Sequence, residues 1–169
     1  MSGPLPEFVD PFRLARDQTR IEGAVPIAAM KRVAELLRDD SGVAEVDLRF
    51  QASASGVPRL DGGIRMVARV ECQRCLEPLE LELLPEFKIS FTDGGEASGR
   101  AELAAGYEPL DLDGPIGLTT IVEDEILLAL PDSPMHSSEQ CAPAGAVDAP
   151  GAGSSPFSGL RARLEQFRT

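Results

Sequence analysis

The chain has 169 residues, enough for one domain with a sizeable core, and 43% of them are hydrophobic. Its net charge of −12 at pH 7 argues against nucleic-acid binding by bulk electrostatics, since that affinity comes from Lys and Arg neutralising phosphates. The longest uninterrupted apolar run, Ile126 to Leu130, is too short to span a bilayer, and no secretory signal pattern opens the sequence. We therefore expect a cytoplasmic protein without membrane contact, in a compartment that keeps thiols reduced.

The negative charge is concentrated in one part of the chain. Residues 91–157 contain 12 acidic side chains and one basic side chain, whereas residues 158–169 contain three Arg and one Glu. Phosphate is repelled by the first region, so any RNA contact must come from a local patch or through a partner.

The first 38 residues predict two helices with a strand between them. Asp10 followed by Pro11 is a helix start, with an Asp cap and Pro in the first helical position. A strand near residues 19–23 follows. Pro26 then begins a second helix that extends to about Arg38, because one face collects Ile27, Met30, Val33, Ala34 and Leu37. We interpret that face as core.

Four segments then alternate between apolar and polar residues: 45–52, 64–72, 79–83 and 87–91. The Gly- and Ser-rich residues 53–63 are interpreted as a connection. Four such strands in succession predict an antiparallel meander or a small barrel with one face in water. That face carries Arg49, Arg65, Arg69 and Arg74. A solvated sheet face and a small anion- or RNA-contacting patch are both open interpretations.

Two cysteines of a Cys-x-x-Cys motif, Cys72 and Cys75, lie at the turn between two predicted strands, as in a zinc knuckle. The sequence contains one further cysteine, Cys141, and one histidine, His136, in a His-x-x-x-x-Cys spacing. Together they predict a Cys3His zinc site, provided that the fold joins the two pairs. Inert cysteines, a redox dithiol and a structural disulfide are the alternatives. Flanking strands disfavour the redox interpretation, and a cytoplasmic location disfavours the disulfide.

An extended segment at residues 107–112 is expected to rejoin the sheet, and a nearly apolar helix is predicted from about Leu118 to Leu130. Its apolar positions are Leu118, Ile121, Val122, Ile126, Leu128 and Ala129. On a helical wheel Glu125 falls inside this apolar arc. An unpaired buried charge is costly, so Glu125 is expected to pair with a sheet arginine, with a functional acid as the alternative.

The sequence argues against an enzyme. Glu123, Asp124 and Glu125 are the acidic candidates for a magnesium site, but consecutive helical residues diverge by about 100° and cannot converge on one ion. No nucleophile beside a base and no phosphate-binding glycine loop is evident.

Residues 142–155 are an Ala-, Gly-, Pro- and Ser-rich stretch that we expect to be a disordered linker between a domain at residues 8–141 and a terminal helix at residues 156–169. The terminal helix is basic and amphipathic, with Phe157, Leu160, Leu164 and Phe167 at helical spacing beside Arg161, Arg163 and Arg168. It is either a docking peptide or packs back onto its own domain. The whole chain therefore predicts an α+β fold with two main helices packed on the sheet.

Several of these motifs carry a family resemblance. They are Asp10-Pro11 with Arg13 and Ala15, residues 70–75 with Pro78, Tyr107-Glu108-Pro109, residues 121–131 with Pro134, His136 and Cys141, and Pro156-Phe157 with Leu160. With them the chain resembles the YceD family of bacteria, the large ribosomal RNA subunit accumulation proteins, from Asp10 to the C-terminus. The resemblance implies a role in synthesis, processing or stability of 23S ribosomal RNA and leaves the mechanism open.

Two kinds of factor fit that role. One contacts pre-rRNA in assembly intermediates through the sheet arginines and the terminal helix. The other is a protein-binding adaptor or chaperone, whose acidic region holds a basic large-subunit ribosomal protein. Candidate partner contacts are Arg49, Arg65, Arg69, Arg74, Glu123, Asp124, Glu125, Phe157, Leu160, Arg161 and Arg163.

Overall fold

The computed structural model describes residues 3–92, 102–103, 105–112, 114–137 and 141, with backbone alone at residues 3 and 4. Its strands are β1 Gly3–Pro4, β2 Phe8–Val9, β3 Arg20–Pro26, β4 Val43–Ala52, β5 Pro58–Glu71, β6 Pro78–Leu83, β7 Glu86–Thr92, β8 Glu108–Asp111 and β9 Ile116–Gly117. Its helices are α1 Pro11–Arg16, α2 Lys31–Leu36 and α3 Leu118–Ala129, and a 3₁₀ turn covers Ile27–Ala29.

Seven strands form one sheet in the order β1-β3-β4-β5-β7-β8, with β6 paired to the second half of β5. The run from β3 to β7 is antiparallel, as the alternating pattern predicts, whereas β1 pairs with β3 and β8 with β7 in parallel. Strands β2 and β9 form a separate antiparallel pair. The α+β class and a mostly antiparallel sheet are therefore confirmed, but β6 and β7 both pair with β5 rather than following one another, so the four predicted strands do not form a simple meander. The alternative of a barrel is wrong, because the described strands form an open sheet.

Strand β5 is the longest strand, and it pairs with β4, β6 and β7. It begins at Pro58, so the prediction that residues 53–63 form a connection is wrong for residues 58–63. Glycine weakens a strand pattern in the sequence, but here Gly62 faces Phe87 of β7 directly across the ladder. A Cβ atom at Gly62 would lie 2.1 Å from Cζ of Phe87, so the ring occupies the space that a side chain would take.

Helix α1 starts as predicted, because the side chain of Asp10 accepts hydrogen bonds from the backbone N–H groups of Phe12 and Arg13 at 2.9 and 3.2 Å. The second predicted helix is shorter than expected. Residues 27–29 form a 3₁₀ turn, and α2 covers only residues 31–36 before Leu37 becomes extended. Of the two main helices predicted, α3 therefore keeps its predicted length and α2 does not.

The helices and the inward face of the sheet enclose one core, in which Phe50, Leu60 and Ile126 are fully buried. Phe50 of β4 stacks on Phe91 of β7 with 6.4 Å between ring centroids. Leu128 departs from its predicted place in the apolar cluster of α3, since 77% of its surface is exposed and Leu127 packs on the core instead.

Candidate metal centre

The first pair of predicted ligands lies in the turn that joins β5 to β6. Cys72 continues the inward alternation of β5 and is fully buried. The Cys72 N–H donates to the carbonyl oxygen of Glu77 at 3.0 Å, and the Leu76 N–H donates to the carbonyl oxygen of Cys72 at 2.9 Å. These bonds hold Leu76 in the left-handed region, at φ +62°. The turn therefore closes tightly enough to place Cys75 beside Cys72.

The second pair follows α3. Leu130 is extended after the last helical residue, and the chain then crosses to the turn of the first pair. There the Gln73 N–H donates to the carbonyl oxygen of Pro134 at 2.8 Å, which fastens the segment two residues before His136. Cys141 is buried at the centre, while residues 138–140 lie outside the described residues.

The four ligand atoms of Cys72, Cys75, His136 and Cys141 all lie within 4.8 Å of one another. The Sγ atoms of Cys72 and Cys141 are 3.5 Å apart, and Sγ of Cys75 is 3.3 Å from Nδ1 of His136. A tetrahedral zinc with bonds of about 2.3 Å to sulfur would separate two sulfurs by about 3.8 Å. The cluster thus has nearly the dimensions of a zinc coordination shell, and its thiols are free rather than joined in a disulfide.

The orientation of the His136 ring suits metal binding through Nδ1. Its other nitrogen, Nε2, lies 3.1 Å from the carbonyl oxygen of Pro78, which can only accept a hydrogen bond. Nε2 therefore carries the proton, and the lone pair of Nδ1 points toward the cysteines. A second hydrogen bond of this kind is typical of histidines that ligate metals.

The surroundings of Cys72 favour a thiolate. Burial opposes the charged form, but backbone N–H groups of Cys75, His136 and Arg74 donate to the sulfur and lower the pKa of Cys72 to about 5. Burial, together with the neighbouring Cys72 and Cys75, raises the pKa of Cys141 to about 11. One thiolate is thus ready at neutral pH, and a bound cation would supply the charge that stabilises a thiolate at Cys141.

Two of the four arginines in the predicted patch, Arg49 and Arg69, contact carboxylates in the structure. Arg49 contacts Asp47 at 3.1 Å, and Asp47 also accepts two hydrogen bonds from Arg20. Arg69 is held between Asp39 and Glu80. The two remaining members differ: Arg65 lies opposite Glu45 in the β4–β5 register, and Arg74 contacts the sulfur of Met135 at 3.7 Å.

The buried carboxylate of α3 is Glu123 rather than Glu125. Its oxygens accept from the Arg32 backbone N–H at 2.7 Å and from two guanidinium nitrogens of Arg32 at 2.9 and 2.7 Å. The predicted ion pair of Glu125 with a sheet arginine is wrong: within the described part of the chain, the Glu125 side chain makes no hydrogen bond or ion pair. A helical wheel gives the direction of a side chain on its own helix. It cannot show that the first N–H groups of α2, which the N-cap residue of α2 does not bind, lie beside Glu123.

Asp124 shares the same arginine, with Oδ1 2.7 Å from Nη1 of Arg32. The predicted contact residues Phe157, Leu160, Arg161 and Arg163, the linker at residues 142–155 and the terminal helix at residues 156–169 lie outside the described residues.

Comparison with known proteins gives the family. The family model described as "Large ribosomal RNA subunit accumulation protein YceD" matches residues 60–159, which include all four clustered ligands. The chain belongs to the YceD family. A YceD relative, the large ribosomal RNA subunit accumulation protein of Haemophilus influenzae, is 35% identical over 140 residues, covering 81% of this chain and 79% of the relative.

YceD membership connects the chain with the large ribosomal subunit. No solved structure matches the chain. Among the residues that the structure describes, no helix is long and apolar enough to cross a membrane.

Proposed function

We propose that this chain is a non-enzymatic ribosome-biogenesis factor of the cytoplasm that supports the synthesis, processing or stability of 23S ribosomal RNA. The observation that carries the proposal is the chain's membership of the YceD family. Both the family model and the relative are described as large ribosomal RNA subunit accumulation proteins. The Haemophilus influenzae relative, which bears the same description, aligns over most of both chains.

Cys72, Cys75, His136 and Cys141 would hold a structural zinc ion in this factor. Three sulfurs and one imidazole nitrogen are a donor set that zinc prefers, and four protein ligands leave no open position for a substrate. The ion would join the β5–β6 turn to the segment after α3, and these two ligand pairs are separated by 60 residues of sequence. Its role would be to fix the end of α3 against the sheet.

The contacts of the histidine and the cysteines support a role without catalysis. His136 is the one histidine of the chain, and both of its ring nitrogens are engaged, by Cys75 and by the carbonyl of Pro78. All three cysteines belong to the same cluster. With these groups committed, no cysteine or histidine of the chain is left to act as a nucleophile or general base.

The charges favour a protein partner over direct binding of pre-rRNA. Arg49 and Arg69 already contact carboxylates, so they offer little free positive charge to phosphate. Residues 91–157, in contrast, carry 12 acidic side chains against one basic side chain. The second candidate function, an adaptor or chaperone for a basic large-subunit ribosomal protein, is favoured by this imbalance. Asp124 and Glu125 are its proposed contacts, whereas Glu123 is buried and bound by Arg32 and is not accessible to a partner. The terminal residues Phe157, Leu160, Arg161 and Arg163 remain the proposed contacts of the pre-rRNA alternative.

Complementation of a bacterium that lacks its own YceD gene tests the function. The wild-type chain should restore the ratio of 23S to 16S ribosomal RNA, whereas Cys72→Ser should fail because the proposed centre is lost. Met135→Gln, a change of the exposed neighbour of His136, is the matched control and should restore the ratio. A folded, expressed wild-type chain that leaves the ratio unchanged would overturn the proposed function.

Affinity purification with and without ribonuclease separates the two kinds of partner. A basic ribosomal protein that stays bound after RNA is digested supports the adaptor. Recovery that disappears with the RNA supports direct contact with pre-rRNA.

A further inference from the structure

A groove runs between α3 and β8. Its apolar lining includes Ile121 and Leu128 of α3 and Leu110 of β8. Leu128 is 77% exposed and Leu110 is 37% exposed, although both are large apolar side chains. Two leucines left open on opposite walls of one groove indicate a surface that is covered by another element.

The rim of this groove is acidic. Glu108 of β8 and Asp124 and Glu125 of α3 line it, and no Lys or Arg does among the described residues. Asp124 contacts Arg32, but the side chains of Glu108 and Glu125 make no hydrogen bond or ion pair with any described residue. Burial, and then the charges of Glu108 and Asp124, raise the pKa of Glu125. Two carboxylates that have no partner among the described residues, beside an apolar floor, match an occupant that has both apolar and cationic side chains.

The sequence of the chain contains a segment with this chemistry. Residues 156–169 carry Phe157, Leu160, Leu164 and Phe167 at helical spacing together with three arginines and one glutamate. A helix of 14 residues would be about 21 Å long, close to the length of about 18 Å expected for the 12 residues of α3. These residues lie outside the described part of the chain, so only their sequence enters the comparison.

Residues 142–155, which connect Cys141 to the C-terminal segment, are numerous enough to reach the groove. Cys141 is fixed at the candidate metal centre, and residues 142–155 could span up to about 46–50 Å when extended. A domain of this size has a radius of gyration of about 14 Å, so the groove lies within reach.

A helix fits the groove better than an added strand. β8 has only four residues, and Pro109 among them has no N–H to donate to a further strand. RNA and anionic lipid are disfavoured because the rim is acidic.

We propose that the C-terminal segment, residues 156–169, binds as a helix in the groove between α3 and β8, with its apolar face on Leu110, Ile121 and Leu128 and its arginines opposite Glu108 and Glu125. The inference rests on this chain's own residues and does not require the ribosomal role. We call this contact of the C-terminal segment with the groove the latch.

Hydrogen exchange of the purified full-length chain, followed by mass spectrometry of peptides from residues 156–169, tests the latch. The backbone amides of this segment should exchange at least about tenfold more slowly than those of a synthetic peptide with the same sequence. Leu128→Asp should return them to the rate of the free peptide. Leu36→Asp is the matched control, since Leu36 is also an exposed helical leucine but lies at the end of α2, and it should leave the slow exchange unchanged.

A charge exchange makes the test specific for the rim. Replacing Glu108 and Glu125 by Lys should release the segment, and replacing Arg161, Arg163 and Arg168 by Glu in the same chain should bring the slow exchange back. Exchange at the free-peptide rate in the wild-type chain would refute the latch. Slow exchange that survives Leu128→Asp would also refute it, because the segment would then bind elsewhere. Slow exchange that appears only at high protein concentration would assign the groove to a second copy and overturn binding within one chain.

The ribosomal RNA measurement reports on the proposed function independently. A chain that restores 23S ribosomal RNA but shows no slow exchange would lose the latch and keep the function. A chain that shows the latch but restores nothing would lose only the function.

Discussion

His136 is joined to the sheet through Pro78, because its Nε2 lies 3.1 Å from the carbonyl oxygen of the residue that begins β6. Pro78 is itself fixed opposite Glu71 in the β5–β6 ladder. The register of this hairpin therefore determines which ring nitrogen of His136 faces the cysteines. A ligand from the segment after α3 is thus oriented by a backbone group 58 residues earlier in the chain.

Cys141→Ser should reduce bound zinc from about one ion per chain to well below one and lower the melting temperature by at least about 10 °C, because metal-binding free energy contributes directly to folding. Metal analysis and thermal unfolding measure the two effects. Ser137→Ala, in the same segment, should change neither. A wild-type chain whose melting temperature is unaffected by complete metal removal would contradict the prediction.

Glu123→Ala should destabilise the fold by about 2–3 kcal/mol, because it removes hydrogen bonds from a charged guanidinium and from backbone N–H groups of α2. Glu125→Ala should change stability by about 0.5 kcal/mol or less, since no described partner is lost. Urea unfolding of both variants measures the difference. This order is the reverse of the expectation from the helical wheel. Equal losses from both variants would show that the contact with Arg32 contributes little.

The same two residues should show opposite dependence on pH. Burial favours protonated Glu123, but hydrogen bonds from Arg32 and Val33 outweigh it and hold the pKa of Glu123 below its ordinary value. Its contribution to stability is therefore present above the ordinary pKa of about 4.3 and is lost as pH falls through the folded pKa. For Glu125, burial and nearby carboxylates raise the pKa, so its contribution is present at low pH and is lost as pH rises through the folded pKa.

Compared with wild type at the same pH, Glu123→Gln should therefore cost more stability at pH 7 than at pH 3. Glu125→Gln should be more favourable at pH 7 than at pH 3. Denaturant titrations at both pH values, with each variant referred to wild type, remove the common effect of acid on the metal centre. Parallel behaviour of the two variants would be the contrary result.

Gly62→Ala should destabilise the sheet by about 1–3 kcal/mol, because the new Cβ atom would lie 2.1 Å from the ring of Phe87 and force it to move. Gly63→Ala is a control in the adjacent position, where a Cβ atom would meet nothing within 4 Å beyond its chain neighbours. It should be neutral or stabilising by about 0.5 kcal/mol, since alanine restricts the unfolded chain more than glycine does. Equal effects of the two changes on thermal unfolding would disprove the role of Phe87.

The sequence by itself determined the identity of the clustered ligands and the outline of the fold. The chain has three cysteines and one histidine, so only one Cys3His set is possible. The two cysteines of the Cys-x-x-Cys motif are brought together by a single local turn. The sequence also predicts the alternating strands, because side chains at every second position of a strand lie on the same face of the sheet. Helix α1 was predicted correctly for a similar reason, since the cap of Asp10 is a contact between near neighbours.

Only the tertiary structure decided which distant groups meet. Periodicity gives the direction of Glu123 and Glu125 on α3 but not the position of α2, so it could not identify the carboxylate that Arg32 binds. It placed Leu128 in the core, although that side chain faces an open groove. The glycines of β5 likewise hid the start of this strand from sequence analysis. The ring of Phe87 that fills the space above Gly62 comes from another strand, and the local sequence does not show it. Local patterns record short-range geometry, whereas these contacts depend on packing between elements that are far apart in the chain.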